Sequence, residues 1–184
     1  MSTLLGIIIR DALESDLTTC LELDHTYDTD YVWQMAVNEA PGQWQITFKT
    51  EHLPRTLETE CPANEHRLRL ALPPDQCFLV VASKDSDDIL AYLTMRSDPA
   101  YQLALIQDLV VARAYRRRRI GTRLVNVARQ WAKEHHLSRL TAEVQTRNYP
   151  AISFYKQTGF TFCGFNDQYL PNQDIAVFFS QSFR

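Results

Sequence analysis

The sequence predicts an α/β protein with a mixed sheet, and three observations predict it. Short aliphatic runs rich in β-branched residues recur along the chain between turn-forming residues. After one of them, ending at Val111, the apolar residues Ile120, Leu124, Val127, Ala128 and Trp131 fall at helical spacing. From there strand, helix, strand, helix and strand follow a strand-rich first half, which calls for a sheet of both strand directions with helices packed on it.

At 184 residues the expectation is one domain spanning 1–184, long enough to bury a substantial core. Hydrophobic residues at 45% and charged ones at 22% are ordinary for a soluble globular protein. A formal charge of −3 lacks the basic excess of a nucleic-acid binder, so no nucleic-acid partner is expected. Cys20, Cys61, Cys77 and Cys163 form no CxxC pair and no metal-ligand spacing with histidine. Reduced thiols in a cytoplasm, with no metal, are therefore expected. The apolar start Met1–Ile9 lacks a basic region and a cleavage site, and leads into a first strand. No apolar run reaches the length of a membrane span.

In order, Ile7–Arg10 reads as a strand, and Ser15 or Asp16 as the N-cap of a helix carrying Leu17, Leu21 and Leu23. Tyr31–Val37 and Trp44–Phe48 have strand composition, with Pro41-Gly42 as the turn between them. Residues 53–76, punctuated by Pro54, Pro62, Pro73 and Pro74, are the least regular part: a functional loop or a hidden short helix. Phe78–Ala82 and Ile89–Met95 form a hairpin around Lys84–Asp88, and the strand Leu103–Val111 follows. Then come a helix from Ile120 to about His135, a strand Leu140–Gln145 and a short helix Ala151–Gln157 with Gly159 as its left-handed cap. Strands Phe160–Phe165 and Ile175–Phe179 finish the chain, which has no internal repeat.

One stretch concentrates charge: Tyr115-Arg116-Arg117-Arg118-Arg119-Ile120-Gly121-Thr122, between the Leu103–Val111 strand and a helix. A helix N-terminus offers unpaired N–H groups and the positive end of the macrodipole, so it is an anion site, and the arginines suit a ligand with several phosphates. Taken alone, the same run is a solvated basic turn. The cluster Asp24, His25, Tyr27, Asp28 and Asp30 reads as a polar loop after the first helix rather than a metal site. Tyr31, Trp33 and Trp44 read as packing aromatics.

Tyr115–Leu124 resembles motif A of the GCN5-related N-acetyltransferases (GNAT), whose core is Gln/Arg-x-x-Gly-x-Gly/Ala. Downstream, Asn148-Tyr-Pro-Ala151-Ile-Ser-Phe154-Tyr155-Lys-Gln-Thr-Gly159-Phe160 resembles motif B, at the right distance and in the right order over about residues 77–166. Two separated motifs in register are far more specific than a lone glycine pattern. The segments Leu105–Val111, Trp131–His136, Thr141–Thr146 and Asp174–Phe179 resemble the streptothricin acetyltransferases within that family. Two positions depart from the patterns: Arg119 stands at the first glycine of motif A, and Gln107 where antibiotic and polyamine acetyltransferases often carry a glutamate base.

The resemblance implies a mostly antiparallel sheet flanked by helices, with a splayed parallel strand pair at the cofactor site. It implies acetyl-CoA as donor, its diphosphate held by backbone amides from about Arg117 to Thr122, which takes in Arg119, Ile120 and Gly121. Arg116 and Arg118 then lie nearer solvent or the adenosine phosphate. Leu109, Val110 and Val111 pair with pantetheine like an added strand, and Asn148 orients the cofactor's amides. Tyr155 is the acid for the departing thiolate; a phenol near pKa ~10 is suited to a thiol leaving group. Asp108, directly or through water, takes the proton of the substrate ammonium. The residues alone leave open that Tyr155 is a core aromatic and Asp108 a cap or salt-bridge partner.

The implied function is acetyl transfer to a primary amine by direct attack in a ternary complex, on a small cationic molecule such as an antibiotic or polyamine. Residues 77–166 form the cofactor-binding core, and 1–76 and 167–184 the acceptor side. A protein N-terminus or lysine is the alternative acceptor, and a non-catalytic acyl-CoA-binding module the alternative of another class. A homodimer stays open as the assembly.

Overall fold

The computed structural model describes residues 6–61 and 64–183. In chain order the elements are β1 (Ile7–Asp11), α1 (Leu17–Glu22), β2 (Thr26–Ala40), β3 (Gln43–Glu60), α2 (Glu65–Leu70), β4 (Cys77–Ser83), β5 (Ile89–Asp98) and β6 (Leu103–Val111). They continue with α3 (Ile120–Glu134), β7 (Arg139–Gln145), α4 (Tyr149–Gln157), β8 (Thr161–Asn166) and β9 (Ala176–Ser182). Residues 1–5 of the apolar N-terminal run, and Pro62, lie outside the described residues. Contacts divide the chain into two units: one of residues 1–25, 61–142 and 180–184, the other of 26–60 and 143–179. No helix among the described residues is long and apolar enough to cross a membrane.

The first unit carries the strand order β1-β4-β5-β6-β7. Its pairs are antiparallel except β6/β7, which is parallel. β4 is buried from Cys77 to Ala82 and β5 from Ile89 to Met95, so both read as continuous apolar runs rather than alternating ones. The reason is cover on two faces. Leu17 and Cys20 of α1 and Leu68 of α2 share one core cluster with Phe78, Val80 and Tyr92. α3 also packs on β4, β5 and β6.

The buried stripe of α3 is Ile120, Leu124, Val125, Ala128 and Ala132. It is rotated from the predicted face: Val127 is 37% exposed, and Trp131 stacks on His135 with ring centroids 3.7 Å apart. The small Ala128 and Ala132 let the helix lie close to the strands, which puts the larger residues on its flank. Neither Ser15 nor Asp16 caps α1 through its side chain. Asp16 instead accepts from Leu13 N at 2.8 Å and from Arg10 Nη1 at 2.6 Å, tying β1 to the turn before the helix. The Arg10 hydrogen bonds hold the Asp16 carboxyl below its ordinary range, against the opposing effect of burial.

In the second unit β9 lies between β7 and β8, and β2 and β3 form a separate two-stranded ribbon. Pro41-Gly42 is the turn, with Gly42 at φ +75°, but the strands run for 15 and 18 residues, well past the predicted Tyr31–Val37 and Trp44–Phe48. The first eight residues of the irregular stretch 53–76 are therefore strand, and Glu65–Leu70 is a short helix within it. Pro54 is accommodated because the register jumps from Thr29↔Leu57 to Tyr31↔His52, which leaves residues 53–56 outside the ladder as a bulge. The expected polar loop at Asp24–Asp30 is likewise strand from Thr26. Buried Tyr27 and Thr29 alternate there with exposed Asp28 and Asp30, a two-residue period obscured by the density of acids.

Trp33 packs with Phe48, Phe162 and Phe179 at centroid distances of 5.7, 5.9 and 5.7 Å. Trp44, expected to pack, is 66% exposed at the far end of the ribbon. α4 starts two residues earlier than predicted, because Asn148 caps it and Pro150 fits its first turn. Gly159, at φ +89°, follows it in the left-handed conformation.

Candidate active site

β6 ends at Val111, a 3₁₀ turn covers Arg113–Tyr115, and α3 begins at Ile120. Between them the backbone is unusual: Arg117 has φ +62° and Arg119 φ +63°. A left-handed residue followed by helical ones turns successive N–H groups toward one side, which makes an anion-binding concavity. The first helical bond runs from Arg123 N to Arg119 O at 3.1 Å, so the amides of Ile120, Gly121 and Thr122 precede the ladder. No side chain caps them, and no carboxylate sits in the first turn of α3. These donors fit a diphosphate. Arg119 thus adopts a left-handed conformation that glycine takes freely, at a cost of about 1–2 kcal/mol.

The four arginines have different fates. Arg116 is half-buried rather than near solvent. Its Nε donates to Val111 O at 2.8 Å and its Nη2 to Asp24 O at 3.1 Å, so it is a strut between β6 and the end of α1. The Arg118 guanidinium lies over the Tyr115 ring, 5.5 Å from its centroid. Arg117 and Arg119 are exposed and supply charge to the turn.

Along β6 the parallel ladder with β7 covers only Leu103–Ile106 against Arg139–Ala142. On the other edge, Leu109, Val110 and Val111 pair with Leu93, Tyr92 and Ala91. The β5–β6 register shifts at Thr94/Met95, and Gln107 is the extra residue of this bulge. Leu109 and Val110 therefore continue β6 past the end of its ladder with β7, whereas the Val111 carbonyl is already engaged by Arg116.

Asp108 sits next to the bulge, its side chain 12% exposed. Thr94 Oγ1 donates to its Oδ2 at 2.5 Å, and Arg67 Nε lies 3.4 Å from the same oxygen. Arg67 Nη2 also donates to Gln107 O at 2.6 Å. Arg67 was not legible in the sequence, because it lies on the six-residue α2 inside the stretch that reads as irregular. Nearby in the core, His25 Nε2 lies 3.0 Å from Tyr92 Oη, and burial pushes the Tyr92 phenol well above its usual pKa.

Tyr155 and Asn148 belong to the second unit. Tyr155 is 4% exposed, with its ring edge-on to Phe154 and Phe160 at 5.2 and 5.3 Å. Asn148 Oδ1 accepts from Ala151 N at 3.0 Å, so the cap uses its acceptor and leaves its Nδ2 donor for a ligand. Arg147 Nε pairs with the buried Asp174 at 2.9 Å, which ties the segment before β9 to this turn.

The profile of the acetyltransferase (GNAT) family matches residues 33–160, more than half of the chain. The chain belongs to the GNAT acetyltransferase family. The matched range takes in the arginine turn, the bulge at Gln107 and the Asn148–Phe160 segment. Among curated relatives, streptothricin acetyltransferase A of Bacillus subtilis (strain 168) is 36% identical over 84 residues, 44% of this chain and 49% of that protein. The GNAT chain therefore spans about half the length of that relative. Among solved structures, nourseothricin acetyltransferase superposes with a TM-score of 0.80 at 22% identity, covering 96% of this chain and 98% of that one. A candidate streptothricin acetyltransferase of Bacillus anthracis str. Ames, solved in complex with acetyl coenzyme A, gives 0.79 at 22% identity, covering 98% and 100%. At these identities the structural likeness is one of fold. It agrees with the mixed, mostly antiparallel sheet and the β6/β7 parallel pair.

Proposed function

We propose that this GNAT protein is an N-acetyltransferase that moves acetyl from acetyl-CoA to a primary amine on a small cationic molecule. The observation that carries the proposal is the uncapped amide cluster at Arg119–Thr122, set in left-handed backbone directly after β6. The names of the relatives, streptothricin and nourseothricin acetyltransferases, support an antibiotic-like acceptor.

In this proposal the amides from Arg117 to Thr122 hold the diphosphate, with Arg117 and Arg119 adding charge. Leu109 and Val110 offer backbone groups to the pantetheine arm, and Asn148 offers Nδ2. Bound acetyl-CoA supplies a thioester that an amine can attack directly. Asp108, directly or through water, takes a proton from the acceptor ammonium so that the neutral amine attacks the thioester carbonyl, and Tyr155 donates the proton that the departing thiolate needs. No covalent enzyme intermediate forms. A reducing cytoplasm is the proposed setting, in keeping with four free cysteines.

The test is release of free CoA thiol from acetyl-CoA with a panel of amines: streptothricin-type antibiotics, polyamines, lysine-containing peptides and peptides with free N-termini. Turnover confined to the small cations supports the proposal. Turnover confined to peptides overturns the acceptor class and favours the protein-acetylating alternative. Tight CoA binding without turnover of any amine favours a non-catalytic acyl-CoA-binding module, a reading that Gln107 in place of a glutamate base suggests. A chain that does not bind CoA refutes both.

A further inference from the structure

Resting on the acetyl-transfer function proposed above, we propose that Arg67 is a positioning residue for the acceptor amine, acting through Asp108. One guanidinium holds two consecutive residues of the β6 bulge: Nη2 bonds the Gln107 carbonyl at 2.6 Å, and Nε faces Asp108 Oδ2 at 3.4 Å. Thr94 Oγ1 reaches that same Oδ2 at 2.5 Å from the neighbouring strand. Neither contact uses Oδ1. Thr94 thus hydrogen-bonds Oδ2, and the buried Arg67 Nε faces the same oxygen at ion-pair distance rather than in a hydrogen bond, so both contacts load one oxygen and present the other to an incoming ammonium.

The grip has a rigid origin. Leu68, the next residue on α2, is fully buried in the cluster with Phe78, Val80 and Tyr92. The start of the helix is fixed by Asn64, whose Oδ1 accepts from Arg67 N at 3.2 Å. The Arg67 side chain is only 29% exposed, and its charge balances that of Asp108 at the bulge. The bulge carbonyl of Gln107 is engaged by the same fork, so the kink in β6 and the aim of Asp108 are set together. Arg67 touches neither donor nor acceptor in this proposal, and its effect passes through the Asp108 carboxylate.

Steady-state kinetics of Arg67→Gln, Arg67→Lys, Thr94→Val, Asp108→Asn and the double variant Arg67→Gln/Asp108→Asn test it, using an amine that the wild type acetylates. Arg67→Gln is expected to lower kcat/KM for the amine by about 10²-fold, the effect of misplacing a group by roughly an ångström. KM for acetyl-CoA stays within about twofold of the wild type. Arg67→Lys, which keeps the charge but not the fork, recovers part of the loss. The double variant is no slower than Asp108→Asn alone, because Arg67 acts through that carboxylate. An active wild type with unchanged Arg67→Gln kinetics overturns the proposal, as do losses that multiply in the double variant. A defect that appears only as a lower melting temperature, with normal kinetics on the folded fraction, overturns it too. A wild type that acetylates no amine overturns both this proposal and the function beneath it.

Discussion

Replacing Arg119 by glycine and, separately, by alanine isolates the backbone conformation at the start of α3. Both variants lose the guanidinium, so its charge cancels in the comparison. At φ +63° alanine pays the left-handed penalty of about 1–2 kcal/mol, whereas glycine does not. Glycine gives back about 0.4–1 kcal/mol through the greater freedom of its unfolded chain. The difference leaves Arg119→Gly more stable than Arg119→Ala by up to about 1.6 kcal/mol, with a centre of about 0.8 kcal/mol. For a chain of this size the centre corresponds to about 2–3 °C in melting temperature, readable by circular dichroism with matched urea melts. In calorimetric titration the glycine variant also binds CoA at least as tightly as the alanine variant, because the amides of Ile120–Thr122 keep their orientation. An alanine variant that melts above the glycine variant would refute the left-handed geometry, and with it the amide cluster that carries the proposed function.

Arg116→Met should destabilise by about 1–3 kcal/mol in urea titration, because it removes the donor to the Val111 and Asp24 carbonyls. Arg117→Met, on the exposed side of the same turn, should leave stability within about 0.5 kcal/mol but weaken CoA binding in a salt-dependent way. Tyr155→Phe should lower kcat by about 10²-fold or more while CoA binding stays unchanged, and an equal loss of binding would mark Tyr155 as a packing residue only. The Asp16 carboxyl is held below its ordinary value, so its contribution is complete above the unfolded pKa near ~4 and is lost as pH falls through the folded value. Urea midpoints should therefore drop less between pH 7 and pH 3 in Asp16→Asn than in the wild type. Burial pushes the Cys20 and Cys77 thiols up to about 12, so a thiol reagent at pH 8 should label exposed Cys61 and Cys163 first, and early labelling of Cys77 would contradict the packing of β4.

The second half of the chain was legible because each of its signals is local. Leu103–Val111 is a strand with the predicted ends, and Ile120 begins the helix after the arginine turn. The short helix before Gly159 and the left-handed conformation of Gly159 itself were legible from a few neighbouring residues, whereas the N-cap at Asn148, which starts the helix two residues earlier, was not read from the sequence. The first half was not legible to the same extent because its order comes from pairing at a distance. Glu58 lies on a strand only because Asp28 stands opposite it, and Pro54 reads as a loop residue unless the bulge that holds it is known. The role of Arg67 shows the same limit: its contacts with Gln107 and Thr94's partner Asp108 span some forty residues, and no local pattern announces them. That Arg116 turns to the Val111 and Asp24 carbonyls was not legible either. A run of four identical side chains carries no information about which one turns inward.

The β2–β3 ribbon has a consequence for handling the protein. Its two strands pair with each other and with no further strand among the described residues, so each keeps an outer edge of backbone donors and acceptors. Near the base those edges are guarded: Trp33 N donates to Thr146 O at 2.9 Å, and the bulge at Pro54 and the side chains of Lys49, Glu51 and Arg55 interrupt the other side. From Ala36 to Phe48 the only charge is Glu39, while Val37, Trp44 and Ile46 are 45, 66 and 40% exposed. The outer rungs thus combine open edges, apolar side chains and little repulsion, the combination from which strand-on-strand aggregation grows. Concentrated or warmed preparations will begin to associate there, at a place remote in sequence from the arginine turn, and a lysine at position 46 is the smallest change that protects them.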